Sequence, residues 1–108
     1  MAKFYLLGRY SKEGLTSLLN NPDSDRGGAA KTLIESMGGT FISYDFLRGH
    51  YDFIACFENM NFEKTAAVKT ATMSSGMMRA IDIFEAVDMN KIAADAKLAS
   101  SAYKKPGE

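Results

Sequence analysis

The amino-acid sequence predicts an α+β domain of the ferredoxin-like type: a βαββαβ antiparallel sheet with helices on one face, followed by a C-terminal helix. Three observations predict it. Apolar runs of strand length alternate with segments whose apolar residues recur at helical spacing. A short glycine-centred turn joins two strand-like runs into a hairpin. Capping or turn residues separate every segment from the next. The 108 residues suit one domain, expected over 1–99, with a frayed lysine-bearing tail over 100–108.

The elements follow in order. Residues 3–9 (Phe4, Tyr5, Leu6, Leu7) form an apolar, aromatic first strand. Ser11 caps a short helical segment carrying Leu15, Leu18 and Leu19, because its hydroxyl accepts from a free backbone N–H of the first turn. Pro22 suits the first turn of the next helix, 23–37, whose Ala29, Ala30, Leu33, Ile34 and Met37 share one side. Gly38 and Gly39 end that helix. Residues 40–47 and 51–58 are strands joined by Arg48-Gly49-His50. Asn59 or Asn61 caps a helix over 62–73, closed by Ser74-Ser75-Gly76. A fourth strand covers 77–87, and Asp88 caps the last helix, 89–99.

Composition narrows the function classes. Hydrophobic residues at 46% and charged residues at 24% describe an ordinary globular chain. Thirteen basic residues balance thirteen acidic ones, without the basic excess that nucleic acid or an anionic membrane surface demands. Neither is expected as a partner. The lone Cys56 forms no internal disulfide and suits a reducing compartment. Arg9 interrupts the first apolar run too early for a signal core or a membrane span, so the expected location is cytoplasmic.

The strands expected at the centre have no polar side. Their odd positions are Tyr5, Leu7 and Arg9, then Tyr51, Phe53, Ala55 and Phe57; their even positions are Phe4, Leu6 and Gly8, then Asp52, Ile54, Cys56 and Glu58. Helices of the same chain cover one face, so the second is expected to meet another copy in a homodimer or higher oligomer. The alternative is that Ile92, Ala93 and Ala96 of the last helix fold back over it.

Gly49-His50-Tyr51-Asp52-Phe53-Ile54-Ala55 resembles the signature of the GYD domain family. Tyr10-Ser11-Lys12-Glu13-Gly14-Leu15, Glu35-Ser36-Met37-Gly38-Gly39 and Ser74-Ser75-Gly76-Met77-Met78-Arg79 fit it in order and spacing. The resemblance spans 4–89. It implies a ferredoxin-like domain of the kind that pairs into a dimeric α/β barrel, and it implies no particular activity. Similar barrels include cofactor-free monooxygenases, haem-handling proteins and simple ligand binders.

Candidate chemistry is sparse. In the hairpin, His50 is the side chain most easily tuned near neutral pH, and Asp52 either orients it or simply ties down backbone N–H groups. One histidine and one cysteine in separate contexts make no metal site, and no cofactor is expected. Mid-strand Cys56 suits a small buried hydrophobe. Gly27-Gly28 leads into neither a P-loop lysine nor a dinucleotide fingerprint. The aromatic spacing after Arg48-Gly49 is wrong for an RNA-recognition motif, with Asp52 where an aromatic is wanted.

Alanines 29 and 30 on one helix and 66, 67 and 71 on the other either let the helices sit close or leave room for a small apolar ligand. Arg9, Tyr44 or Arg79 would polarise that ligand, and with His50 and Asp52 they make up the candidate site. The leading expectation is an oligomeric module that binds a small molecule or a protein, without a catalytic centre. The alternative is a cofactor-independent oxygenase or isomerase using His50, Asp52, Arg9 and Tyr44 on an apolar substrate.

Overall fold

The structure, a computed structural model, describes residues 2–107. Its elements run β1 (Lys3–Tyr10), α1 (Lys12–Asn20), α2 (Arg26–Ser36), β2 (Thr40–Phe46), β3 (Phe53–Glu58), α3 (Phe62–Ser74), β4 (Met78–Glu85) and α4 (Met89–Ala102). The four strands form one antiparallel sheet in the order β2-β3-β1-β4. That is the ferredoxin-like arrangement, with β1 and β3 at the centre as expected.

Local chemistry sets the boundaries. Ser11, Asn61 and Asp88 cap α1, α3 and α4, their side-chain oxygens accepting from the N–H groups of Gly14 (3.1 Å), Lys64 (2.8 Å) and Lys91 (3.0 Å). Asn59 takes another role: it stands at φ 63° and donates through Nδ2 to Thr40 Oγ1 at 2.8 Å. Helix α2 begins three residues later than its composition suggests. Asp25 is its cap, accepting from the Gly28 N–H at 2.8 Å, so Pro22 and Asp23 belong to the preceding turn. Gly38, at φ 84°, supplies the left-handed residue that ends the α2 segment.

The last helix runs through Ala102 rather than Ala99, so 100–102 are helical and not part of a frayed tail. Helix α4 leaves the body of the domain, buries none of its residues and makes no substantial packing contact with another element. Ile92 is 44% exposed, and Ala93 and Ala96 are exposed as well. The last helix therefore does not fold back over the sheet.

Helices α2 and α3 cover one face, α2 lying over β2 and α3 over β4. The core between them holds Phe4, Leu6, Tyr10, Ile34, Phe53, Ala55, Phe57, Met60, Val68 and Ile81. Phe4 and Phe57 are fully buried and stack with ring centroids 6.0 Å apart. Gly8 opens space on β1 for Phe53, whose ring occupies the place a Cβ would take.

Register corrects the assignment of faces. Phe4 pairs with Phe57, Leu6 with Ala55 and Gly8 with Phe53, so even residues of β1 share the helix-covered face with odd residues of β3. The open face carries Tyr5, Leu7 and Arg9 with Cys56 and Ile54, and across β4 with Phe84, Asp82 and Ala80. Phe53 and Phe57 therefore lie in the core rather than beside Tyr5. The open face is still largely apolar in its middle, and charges of both signs (Lys3, Arg9, Asp45, Glu58, Asp82) sit among or around those residues. Cys56 is buried there, as its mid-strand position suggests.

Candidate functional site

Between the sheet and helices α2 and α3 lies a partly open cavity of about 160 Å³. The sequence makes this space with small side chains where larger ones would meet: Ala29 and Ala30 on α2, Ala55 on β3 and Thr72 on α3. Most of the remaining wall is apolar, from Leu6, Leu33, Ile34, Phe53, Val68, Met78 and Ile81. The α2 alanines border this space. The α3 alanines do not: Ala66, Ala67 and Ala71 do not line the cavity, and Ala67 and Ala71 are exposed. Helix α3 turns Val68 and Thr72 inward instead.

The polar groups of the wall are Tyr10, Tyr44 and Arg26, with Thr72 Oγ1 committed to its own helix through the Val68 carbonyl at 2.8 Å. Tyr10, the last residue of β1, and Tyr44, in the middle of β2, share a hydrogen bond between their hydroxyls. Tyr44 stacks on Phe53 at 5.2 Å between centroids, nearly parallel, and Phe46 meets it edge-on at 5.6 Å. Tyr10 packs on the same Phe53 at 5.4 Å. These contacts fix both rings, and with them the direction of both hydroxyls. Burial pushes both phenols up from their ordinary range, furthest for Tyr44, so both hold their protons at neutral pH.

Arg26 opens helix α2 and lays its guanidinium over the Tyr10 ring, 5.5 Å from the centroid. One of its terminal nitrogens donates to the Gly14 carbonyl at 3.3 Å. Its Nε is buried with no hydrogen-bond partner, and among the described residues no carboxylate pairs with it.

Of the five residues singled out by sequence, Tyr44 alone lines this cavity. Arg9, Asp52 and Arg79 come together in a separate surface depression that also touches Tyr10. His50 is exposed, its ring edge-on to Tyr51 at 4.9 Å. The four polar groups of the oxygenase or isomerase alternative thus share no cavity within the protomer. Arg26 and Tyr10 were not anticipated. Tyr10 could have been found by carrying the even series Phe4, Leu6, Gly8 one step further; Arg26 reaches the cavity only through tertiary packing.

The hairpin is a set of stitches. Leu47 N–H donates to the Asp52 carbonyl at 2.8 Å, closing a loop over 48–51, with Gly49 at φ 146°. The Asp52 carboxylate accepts from the Tyr10 backbone N–H at 2.9 Å, tying the hairpin to β1 at the bulge between Arg9 and Tyr10. Tyr51 reaches across the open face and donates to Asp82 on β4 at 2.6 Å. Asp52 therefore holds strand architecture rather than orienting His50. Among the described residues no group of three or more His, Cys, Asp or Glu side chains is placed to hold a metal, and no helix is long and apolar enough to cross a membrane.

The fold and the cavity define a ferredoxin-like α+β protein with a space between helices and sheet. The GYD domain family profile matches residues 4–96, and the chain belongs to that family. Among solved structures it is similar to TTHA0845 from Thermus thermophilus, with a TM-score of 0.51 at 15% identity over 82% of this chain and 95% of that one. It also matches hypothetical protein PHS023 from Pyrococcus horikoshii, with a TM-score of 0.46 at 14% identity over 82% of this chain and 92% of that one. A search of curated proteins gives no match. At these identities the structural likeness speaks for the fold alone.

Proposed function

We propose that the protein is a small-molecule-binding module that works as a homo-oligomer, assembled through the open face of its sheet. The observation that carries the binding role is the cavity, apolar along most of its wall and polar at Tyr10, Tyr44 and Arg26. Binding sites of this kind pair an apolar enclosure with a few placed polar groups. Seven methionines, three of them (Met37, Met73 and Met78) packed against the core and Met60 within it, add surroundings that adapt to a guest.

A second copy is the occupant that best suits the open face. Tyr5, Leu7, Ile54 and Phe84 form an apolar centre flanked by charges of both signs, so a second copy related by a two-fold axis can set unlike charges against each other. Helix α4 supports the same reading. Its Met89, Ile92, Ala93 and Ala96 form an apolar stripe that finds no partner in its own chain.

Two measurements test the proposal. Sedimentation at micromolar concentration should show a species heavier than the 11.8 kDa chain, and a monomer would overturn the assembly. A panel of ring-sized apolar compounds should raise the melting temperature, and Ala30→Leu, which fills the cavity from α2, should abolish that rise in a folded protein. An unchanged response in the filled variant would overturn the cavity as the binding site.

A further inference from the structure

We propose that the cavity takes a compact apolar monocarboxylate, an aromatic or branched acid with its carboxylate against Arg26 and the Tyr10–Tyr44 hydroxyls. The inference rests on the small-molecule reading above and adds the charge and size of the ligand.

Charge follows from the inventory of the wall. Among the described residues no Asp, Glu, His or Lys lines the cavity, and its one ionised group is the Arg26 cation. The nearby acids are engaged elsewhere: Asp25 accepts from the Gly28 N–H at 2.8 Å as a helix cap, and Asp52 accepts from the Tyr10 N–H at 2.9 Å. A guanidinium taken partly out of water with its Nε unpartnered carries a desolvation cost that an anion relieves. Its planar fork matches a carboxylate with two parallel N–H donors.

The tyrosines point the same way. Of their two hydroxyl protons, one is spent within the pair and the other is free to donate. The polar end of the cavity therefore offers donors and wants an acceptor. An ammonium group could donate to the tyrosine oxygens, but it would sit beside the Arg26 cation and be repelled by it.

Size follows from volume. A cavity of about 160 Å³ is close to the roughly 150 Å³ space that admits benzene in an engineered apolar core. One ring or a branched chain of a few carbons fits inside, whereas a long acyl chain would have to run out through the open side.

The test compares benzoate with benzamide, its neutral counterpart of nearly equal shape, by calorimetric titration of the full chain. Benzoate should bind about tenfold or more tightly than benzamide, the factor expected for a charge-assisted bond. Arg26→Gln should remove that preference while leaving benzamide affinity within about twofold. Arg26→Lys, which keeps the charge and loses the fork, should give an intermediate preference and serves if the glutamine variant misfolds. Equal binding of acid and amide to the unaltered protein, or a preference surviving in both variants, would overturn the inference while leaving the cavity as a binding site. Binding of neither compound at millimolar concentration would overturn the inference, and a panel of apolar compounds that also leaves the melting temperature unchanged would remove the small-molecule reading itself.

Discussion

On the helix-covered side of the sheet Phe4 and Phe57 are 0% exposed, whereas on the opposite side Phe84 is 48% exposed and its neighbours Tyr5, Leu7 and Ile54 are only half-buried. The two surfaces are similarly apolar in their centres and differ in what the chain provides to cover them. Helices α2 and α3 cover one, and α4 extends away from the other. Composition alone thus does not decide which face becomes a core. Covalent connection does, because only elements tethered at the right point can pack down.

The comparison can be broken by mutation, beginning with the covered face. Phe57→Ala removes a fully buried ring and should cost about 3–5 kcal/mol in urea unfolding. Asp52→Ala leaves the Tyr10 N–H without its acceptor and should cost about 1–3 kcal/mol by the same measurement. Because the folded state holds the Tyr44 phenol protonated above its ordinary value of 10.0, stability should be at its full value below that pH and fall as pH rises beyond it. Urea midpoints recorded upward from neutral pH check this, and Tyr44→Phe should flatten the alkaline decline. On the open face, Ile54→Ser should cost the isolated protomer about 1 kcal/mol, because Ile54 is only half-buried there. Sedimentation of that variant should nonetheless show lighter species, and unaltered assembly would mean that this face is not the contact.

The order of elements, the central pair of strands and the caps at Ser11 and Asp88 were legible in the sequence, and the cap of α3 was narrowed to Asn59 or Asn61, because each rests on chemistry local to a few residues. The faces were not. Alternation within a strand sorts its residues into two sets, but joining the sets of β1 and β3 requires the register that pairs Phe4 with Phe57. The site was legible in part for the same reason. Tyr44 and the α2 alanines could be singled out by type and spacing, whereas the meeting of Arg26, Tyr10 and Tyr44 depends on three elements distant along the chain. The conspicuous Tyr51 and Asp52 proved to bind the hairpin to β4 and β1.

Helix α4 has 14 residues and no buried side chain, which makes it about as long as the shortest peptides that hold helical shape unaided in water. Far-ultraviolet circular dichroism of a dilute sample should therefore show this segment melting while the sheet signal persists. If the proposed assembly engages this helix, helical content becomes a gauge of how crowded the copies are.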